Sequence, residues 1–359
     1  MKAAVLMAFG TPLAVTTVPD PVLRTGEVVV DVAAAGVLPY AAEVFSGARR
    51  YLLEAPVVPG VGAIGRLRDV GPDATHLKKG DWVVCDPTVR ARDDVRTPDI
   101  TLQGWSARGE GGLRLQRYYH DGPFAQRVMV PTENAVPIGS IDAADAGRWC
   151  ALNLVLVPYG GLLAADLQAG ETVAISGATG NYGSAGVAVA LSMGAGCVIA
   201  PGRNQTVLND LARRFGRRVR TVVLSGNETD DRERIKAAAP DGIDCVLDLL
   251  PPSASATAVR AVAMTVREAG RVVLMGGVGM LGGDDLALPY PWIMRNNITL
   301  RGRWMYEPQA VVSLISLIRS ELLNLAEFDV TEFPLDAAND AVTHAAAHAG
   351  AFKLTVIRP

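Results

Sequence analysis

Residues 172–186 read TVAISGATGNYGSAG. The apolar, β-branched start of this stretch predicts a buried strand, and the small apolar residues of 185–193 predict a helix. Gly177, Gly180 and Gly183 stand between the two. Glycines let a backbone approach phosphate groups closely, and a helix N-terminus offers N–H groups and a partial positive charge. The stretch therefore predicts a site for a nucleotide pyrophosphate, with an ordinary tight turn as the alternative.

From residue 172 to 302 the sequence alternates between short apolar runs and helical patterns. The runs read TVAIS, GCVIA, RTVVL, IDCVLDLL, GRVVLMGG and ITLRG, and we expect helices at 184–194, 205–216, 228–239 and 253–269. Six buried strands separated by helices predict a parallel sheet that is covered on both faces. This is the α/β, Rossmann-type doubly wound arrangement, which binds its ligands at the carboxyl ends of the strands.

The first 137 residues are rich in Gly, Pro and Val, and their apolar runs are separated by turns. The runs AAVLM, EVVVDVAAAG, IGRLRDV, DWVVCD and QRVMV predict a compact, mostly antiparallel β domain. Residues 87–120 are polar, Arg-rich and aromatic, which favours a long surface lobe serving as an oligomer contact or a substrate rim. The chain ends in FKLTVIRP, a strand that we expect to pair within the first domain.

Composition narrows the classes of function. The 359 residues are 49% hydrophobic and 20% charged, which is typical of a packed globular protein of two domains. A net charge of −3 gives no reason to expect nucleic acid or a membrane surface as a partner. We find no stretch typical of a membrane span or a secretory signal. Four scattered cysteines without a CxxC motif favour a reduced, cytoplasmic protein.

Several short motifs together carry a family resemblance. They are PGVGAIG at 59–65, VG at 70–71, KGDWV at 79–83, DGPFA at 121–125, GATGNYG, GRVVLMGG and the closing FPLDAANDAV…AFKLTVIRP. With these motifs the chain resembles the medium-chain dehydrogenase/reductase family, which holds alcohol dehydrogenases and quinone oxidoreductases. The segment GVLP at 36–39 is similar to the GVNP of the zinc-free quinone reductases.

The resemblance implies two domains and a small-molecule substrate. Residues 1–137 and 304–359 would form a GroES-like substrate domain, and residues 138–303 would form the Rossmann dinucleotide-binding domain. The resemblance also implies a homodimer joined through the last sheet strand, near Ile298–Gly302.

The resemblance further implies that this chain has no catalytic zinc. Leu38, Val61 and Asn153 occupy the positions where zinc-dependent members carry Cys, His and Cys. Leu and Val cannot ligate zinc, and one Asn cannot hold it alone. The structural-zinc lobe of the family carries four cysteines, whereas residues 87–120 contain none.

The residues after the second strand of the Rossmann-type sheet bear on the cofactor. Many NAD-binding folds place an acid there to bond the ribose hydroxyls, but this chain reads APGRN at 200–204. Arg203 can instead pair with a 2′-phosphate, which favours NADP(H), with a solvated loop residue as the alternative. We expect the nicotinamide amide to meet the backbone after the fifth strand. The expected cofactor contacts are Gly177, Ala178, Thr179, Gly180, Asn181, Tyr182, Gly183, Arg203, Asn204, Gly276, Gly277 and Val278.

Few polar residues are candidates for the chemistry. Tyr51 matches a tyrosine of the quinone reductases and could hydrogen-bond a substrate carbonyl or the nicotinamide ribose, with a structural role as the alternative. Asn153, at the lost third-ligand position, could donate to a developing oxyanion. The expected substrate pocket comprises Leu38, Tyr40, Val61, Tyr159 and Trp292, although packing roles are equally compatible with the last two and with Tyr40.

Without zinc, a substrate must disperse the negative charge that it acquires with the hydride, and quinones and α,β-unsaturated carbonyls do so. The sequence therefore favours an NADPH-dependent, zinc-independent reductase of conjugated acceptors. One alternative is a zinc-free ketone or aldehyde reductase, similar to an alcohol dehydrogenase, that uses Tyr51 or Asn153 as donor. Another is a protein that binds NADPH without turnover, and a weaker one is a reductase of carrier-bound enoyl chains.

Overall fold

The computed structural model describes residues 1–94 and 96–359, which form two compact units. The first unit comprises Met1–Asn153, Leu325–Ala349 and Lys353–Pro359, and the second comprises Leu154–Asn324 and Gly350–Phe352. No helix of the described residues is long and apolar enough to cross a membrane.

The first unit begins with ten strands and three helices. They are β1 (Lys2–Val5), β2 (Ala14–Thr17), β3 (Glu27–Val37), α1 (Ala41–Phe45), β4 (Ala63–Val70), β5 (Trp82–Cys85), β6 (Thr88–Arg90), β7 (Ile100–Leu102), β8 (Ser106–Ala107), α2 (Gly109–Tyr118), β9 (Arg127–Pro131), β10 (Ala135–Pro137) and α3 (Ala146–Trp149).

The second unit alternates helices and strands, and the chain then returns to the first. The elements of the second unit are α4 (Leu152–Ala164), β11 (Thr172–Ser176), α5 (Asn181–Ser192), β12 (Cys197–Gly202), α6 (Gln205–Phe215), β13 (Val219–Val223), α7 (Glu228–Ala238), β14 (Ile243–Asp248), α8 (Ala256–Ala263), β15 (Val266–Leu274), α9 (Tyr290–Arg295), β16 (Thr299–Gly302) and α10 (Pro308–Arg319). The returning segment contributes β17 (Asp329–Pro334), α11 (Ala338–Ala347) and β18 (Lys353–Arg358).

The main sheet of the first unit has the strand order β10-β5-β4-β3-β18-β17, with β9 also paired to β3. Valines and alanines of β3 are buried along most of its length, as the apolar run at 27–36 predicts. The last strand, β18, pairs antiparallel with β3 and places Val356 opposite Gly36. The C-terminal strand therefore pairs within the first unit, as the sequence predicts.

The stretch 87–120 is more than a surface lobe. Its strands β6, β7 and β8 form a small antiparallel sheet, and α2 packs against β7 and β8. Trp105 is 1% exposed and makes edge-on contacts with Tyr40 and Phe45. The polar composition concealed this packing because the few apolar side chains of the stretch are concentrated in the buried sheet. Residue 95 lies outside the described residues.

The second unit contains the parallel sheet that the alternating pattern predicts. Its strand order is β13-β12-β11-β14-β15-β16, and neighbouring strands are parallel throughout. Ala174, Ile199, Val246 and Val272 lie on its central strands and are buried in one core cluster. The order of the strands reverses between β11 and β14, which is where such sheets bind ligands.

One helix is shorter than expected. The apolar pattern predicts a helix over 253–269, but α8 ends at Ala263 and β15 begins at Val266. Val266 pairs with Ile243 of β14, so the gain from strand pairing ends the helix early. Propensity alone does not show such a tertiary preference.

The boundaries between the two units differ from the expected ones at residues 137 and 303. Residues 138–153 belong to the first unit because α3 packs against β3 and β4. Residues 304–324 belong to the second unit because Tyr306 packs on α4, where a Cβ on Gly160 would lie 2.5 Å from the Tyr306 Cβ.

Candidate active site

The glycine-rich turn between β11 and α5 can accept a phosphate group. Gly177 follows β11 with a φ of +85°, which side chains rarely adopt. A Cβ on Gly183 would lie 1.9 Å from the Gly177 carbonyl oxygen. The first turn of α5 can therefore pack against the loop only if residue 183 is glycine. Gly180 is the exposed N-cap residue of α5, where the helix dipole favours an anion. Ala178 is buried, whereas Thr179 and Tyr182 are half-buried.

The end of β12 supports this turn. A Cβ on Gly202 would lie 2.4 Å from Thr179 Cγ2, so strand end and turn are in close contact. Arg203 follows and is exposed, and its guanidinium makes no ion pair or hydrogen bond within the described residues. No carboxylate stands among residues 200–204. The end of β12 thus presents an available positive charge and no acid.

Two asparagines that we expect among the cofactor contacts have side-chain oxygens that accept hydrogen bonds from the backbone of the second unit. Asn204 Oδ1 accepts the Val207 N–H at 3.2 Å and caps α6. Asn181 Oδ1 accepts the Gly350 N–H at 3.0 Å. Asparagine is a preferred N-cap residue of helices. The sequence alone does not show whether an asparagine at such a position caps a helix or contacts a ligand. The side-chain oxygens of both residues therefore hold the second unit together.

The loops after β14 and β15 lie against each other at the carboxyl edge of the sheet. The Gly277 N–H donates to the Leu250 carbonyl at 2.8 Å. A Cβ on Gly277 would lie 2.8 Å from Pro252 Cδ, so the close approach requires glycine. Gly276, Gly277 and Val278 are half-buried, and their backbone borders the position where the strand order reverses.

Sequence reasoning missed a buried acid at this edge. Asp248, the last residue of β14, is 3% exposed, and burial raises the pKa of its carboxyl to about 6. The backbone N–H groups of Leu250 and Gly276 donate to the carboxyl and oppose this increase. The signal was present in IDCVLD, where Asp248 directly follows the apolar run 245–247 at the end of the strand.

In the first unit, Asn153 and Val61 come together. Asn153 stands in the first turn of α4, and its Nδ2 donates to the Val61 carbonyl at 2.8 Å. Glycines frame the amide, since a Cβ on Gly36 would lie 2.8 Å from Nδ2 and one on Gly62 would lie 2.5 Å from Oδ1. Leu38 and Val61 are buried hydrophobic residues, at 4% and 7% exposure.

These three side chains do not fit a zinc ion. Zinc sites in proteins use thiolate, imidazole and carboxylate ligands, whereas Leu38 and Val61 have none and the Asn153 amide is engaged with backbone. No group of three or more His, Cys, Asp or Glu side chains in the described chain has a metal-binding arrangement.

Tyr51 lies in a polar cluster of the first unit. Burial raises the pKa of the Tyr51 hydroxyl, while Arg49 and hydrogen bonds from Tyr40 and Arg49 oppose that increase. The Arg49 guanidinium lies over the Tyr40 ring at 4.2 Å, its side chain is 10% exposed, and its Nε is 2.7 Å from Glu43 Oε2. Tyr40 and Arg49 therefore lie beside the Tyr51 hydroxyl, and both lower the pKa that burial raises.

The two expected pocket residues of the second unit pack within it. Tyr159 is 5% exposed, and its hydroxyl hydrogen-bonds Ser313. Trp292 is half-buried and packs against the core cluster that contains Ala174 and Val246 of the parallel sheet. Both contacts correspond to the packing alternative for these residues.

Two family models match most of the chain. Residues 24–140 match the alcohol dehydrogenase GroES-like domain, and residues 182–320 match the zinc-binding dehydrogenase domain. The chain belongs to the medium-chain dehydrogenase/reductase family. It is therefore an oxidoreductase of a family that binds a nicotinamide cofactor. The name of the second model refers to zinc, but Leu38 and Val61 have no group that ligates zinc, and both lie outside the residues that this model matches.

Individual relatives support the same family. An alcohol dehydrogenase of Geobacillus stearothermophilus is 28% identical over 84% of each chain. An acryloyl-coenzyme A reductase of Metallosphaera sedula is 26% identical over 81% of each chain. The fold matches that of the alcohol dehydrogenase TADH from Thermus sp. ATN1, with a TM-score of 0.81 over the full length of both chains and 21% identity.

Proposed function

We propose that this oxidoreductase transfers hydride from NADPH to a quinone or an α,β-unsaturated carbonyl without zinc. The observation that carries the proposal is the set of side chains at the three ligand positions. Leu38 and Val61 are apolar and buried, and Asn153 holds the Val61 carbonyl. These three residues offer no Lewis acid site at which a simple ketone oxygen would be polarised.

A conjugated acceptor needs less help from the protein. Bound NADPH would supply a hydride to the β-carbon and leave as NADP⁺. The C=C electron pair would then form a double bond to the carbonyl carbon, the C=O pair would move to the oxygen, and the resulting enolate would take a proton from solvent. The protein must orient the two reactants and bond the enolate oxygen.

Asn153 is our candidate donor to that oxygen. One N–H of its amide is held by the Val61 carbonyl, which fixes the orientation of the group. The second N–H makes no hydrogen bond within the described residues and is available to an oxyanion.

Arg203 supports the choice of NADPH over NADH. Its side chain is exposed and unpaired within the described residues, at the strand end where an NAD-binding fold would carry an acid. A guanidinium suits a phosphate because it donates two parallel hydrogen bonds. The GATGNYG turn and the backbone of 276–278 would hold the pyrophosphate and the nicotinamide.

Reduction of ketones or aldehydes is the second candidate. It is favoured by the Tyr51 cluster, in which Tyr40 and Arg49 lie beside a hydroxyl that can donate a proton to a substrate carbonyl. A relative that is named alcohol dehydrogenase agrees with it, whereas the relative named acryloyl-coenzyme A reductase agrees with a conjugated acceptor. Binding of NADPH without turnover is the third candidate.

A substrate panel separates these candidates. Oxidation of NADPH is followed with a quinone, an enone, an enoyl thioester, a saturated ketone and an aldehyde. We expect turnover of the conjugated acceptors and a lower kcat in Asn153→Ala. Turnover of saturated carbonyls alone, lost in Tyr51→Phe, would establish the second candidate, and tight NADPH binding without any turnover would establish the third.

We further propose a cytoplasmic homodimer. The four cysteines are unpaired in the described chain, which agrees with a reducing compartment. The edge strand β16 is exposed along its whole length and offers a free sheet edge to a second copy. Mass measurement in solution would test the dimer, and a monomer at micromolar concentration would contradict it.

A further inference from the structure

Asp248 occupies an unusual place for a carboxyl group. It ends β14 at the carboxyl edge of the sheet, with Ser176 of β11 beside it on one side and Leu274 of β15 on the other. No charged side chain of the described residues contributes to the shift of its pKa, which comes from burial. Burying a carboxyl without a counterion costs stability, and a neutral residue would avoid that cost.

The carboxyl joins the two loops at this edge. The backbone N–H groups of Leu250, in the loop after β14, and of Gly276, in the loop after β15, both interact with the carboxyl and lower its pKa. Gly276 is so close that a Cβ there would lie 2.4 Å from Asp248 Oδ2. Asp248 Oδ1 and Ser176 Oγ, in contrast, make no hydrogen bond of normal geometry within the described residues, although the hydroxyl is near enough to lower the pKa.

We propose that Asp248 is a positioning residue for the nicotinamide half of the cofactor. It holds the two loops together so that the backbone groups of Gly276 and Gly277 are in place before the nicotinamide binds. This inference rests on the proposed function, which assigns those backbone groups to the nicotinamide. Hydrogen bonds to an ionised acceptor are about twice as strong as neutral ones. A loop that is ordered in advance loses less entropy on binding, which increases affinity.

The test compares NADPH with adenosine 2′,5′-bisphosphate, which has the adenosine half and the extra phosphate but no nicotinamide. Dissociation constants are measured by calorimetry at pH 8 for the wild type and Asp248→Asn. We expect about tenfold weaker binding of NADPH by the variant, the effect of losing one charge-assisted hydrogen bond, and unchanged binding of the bisphosphate. If Asp248→Asn does not fold, Asp248→Ser serves instead, because it removes the same carboxyl with a smaller side chain.

The matched control is Asp244→Asn. Asp244 lies near the other end of β14, where its Oδ1 pairs with Arg267 Nε at 2.6 Å, so the same chemical change is made far from the loops. We expect both dissociation constants to remain unchanged in this control. Equal losses for both ligands in Asp248→Asn, or no loss for either, would overturn the inference. A wild-type protein that binds neither nucleotide would overturn the proposed function, and this inference with it.

Discussion

Arg203 is the residue on which the assignment of NADPH depends. Its guanidinium is exposed and has no partner within the described residues, so it can bind a phosphate without breaking an existing ion pair. We expect Arg203→Ala to weaken NADPH binding about ten- to a hundredfold, since hydrogen bonds to charged groups contribute about 1.5–3 kcal/mol. Binding of NADH should change little. Fluorescence titration with both cofactors measures the difference.

Arg217→Ala is the matched control for that prediction. Arg217 is also an exposed arginine of the second unit, but it lies in the short turn before β13. This turn is at the amino ends of the parallel strands, whereas Arg203 is at their carboxyl ends. Arg217→Ala removes the same charge from the molecule, so a nonspecific electrostatic effect would appear in both variants. Equal weakening of NADPH and NADH by Arg203→Ala would contradict a phosphate contact.

The ionisation of Asp248 should be visible in the stability of the protein. Because burial raises its pKa from 3.8 to about 6, the folded protein binds more protons than the unfolded chain between these pH values. The group's contribution to stability is complete below the lower pKa and is lost as the pH rises through the higher one. Ser176 and Leu274 flank it, and no charged side chain of the described residues adds to the shift.

We therefore expect the free energy of unfolding of the wild type, relative to Asp248→Asn, to fall by roughly 1–2 kcal/mol between about pH 5 and pH 7.5. Urea denaturation of both proteins at the two pH values measures it. A difference between wild type and variant that stays constant with pH would show that the carboxyl does not titrate in this range.

Single residues also show what sequence reasoning leaves open. Asn204 and Asn181 have the residue type and position of cofactor contacts, yet their side-chain oxygens accept backbone N–H groups of the fold. The same amide chemistry serves both purposes, so only the three-dimensional arrangement distinguishes them. Asp248 was missed for the opposite reason, because an acid next to an apolar strand is usually exposed.

Among structural elements, the glycine-rich turn predicts different effects of alanine at two of its glycines. A Cβ on Gly183 would lie 1.9 Å from the Gly177 carbonyl oxygen, whereas one on Gly180 would lie 3.4 Å from the same atom. We expect Gly183→Ala to destabilise the second unit by about 1–3 kcal/mol or more through overpacking, and Gly180→Ala to leave its stability nearly unchanged. Urea denaturation compares them. Equal stability of the two variants would contradict the packing of α5 on the turn.

The cap of α6 gives a further prediction at this scale. Asn204→Ala removes the side-chain oxygen that accepts the Val207 N–H. We expect a loss of about 1 kcal/mol in the free energy of unfolding, with NADPH affinity within a factor of about two of the wild type. If the variant keeps its stability but loses NADPH affinity, the side chain of Asn204 contacts the cofactor after all.

Elements with a strong pattern could be predicted, and their ends could not. Strands β11 to β15 follow from apolar runs because a strand buried on both faces needs continuous apolar residues, whereas the run ITLRG forms β16 as an exposed edge strand. The end of α8 depends instead on the pairing of Val266 with Ile243, a contact between residues distant in sequence. Likewise, the sheet of β6 to β8 depends on packing around Trp105. The polar composition of the surrounding sequence gives no indication of this packing.

At the scale of the whole molecule, the family could be identified from the sequence because its motifs are spread along most of the chain. The limits of the two units could not, since α3 and residues 304–324 join their units through packing. The character of the site follows from three positions, Leu38, Val61 and Asn153. The family resemblance indicated an altered metal site at these positions, and the structure adds that the Asn153 amide donates to the Val61 carbonyl.

The most direct measurement is kcat/KM for NADPH-dependent reduction of an enone before and after dialysis against a strong chelator, with the zinc content determined in both samples. We predict that the enone is reduced at the same rate in both samples and that the protein contains no stoichiometric zinc. Activity confined to saturated ketones or alcohols, lost on chelation and restored by Zn²⁺, would contradict the account.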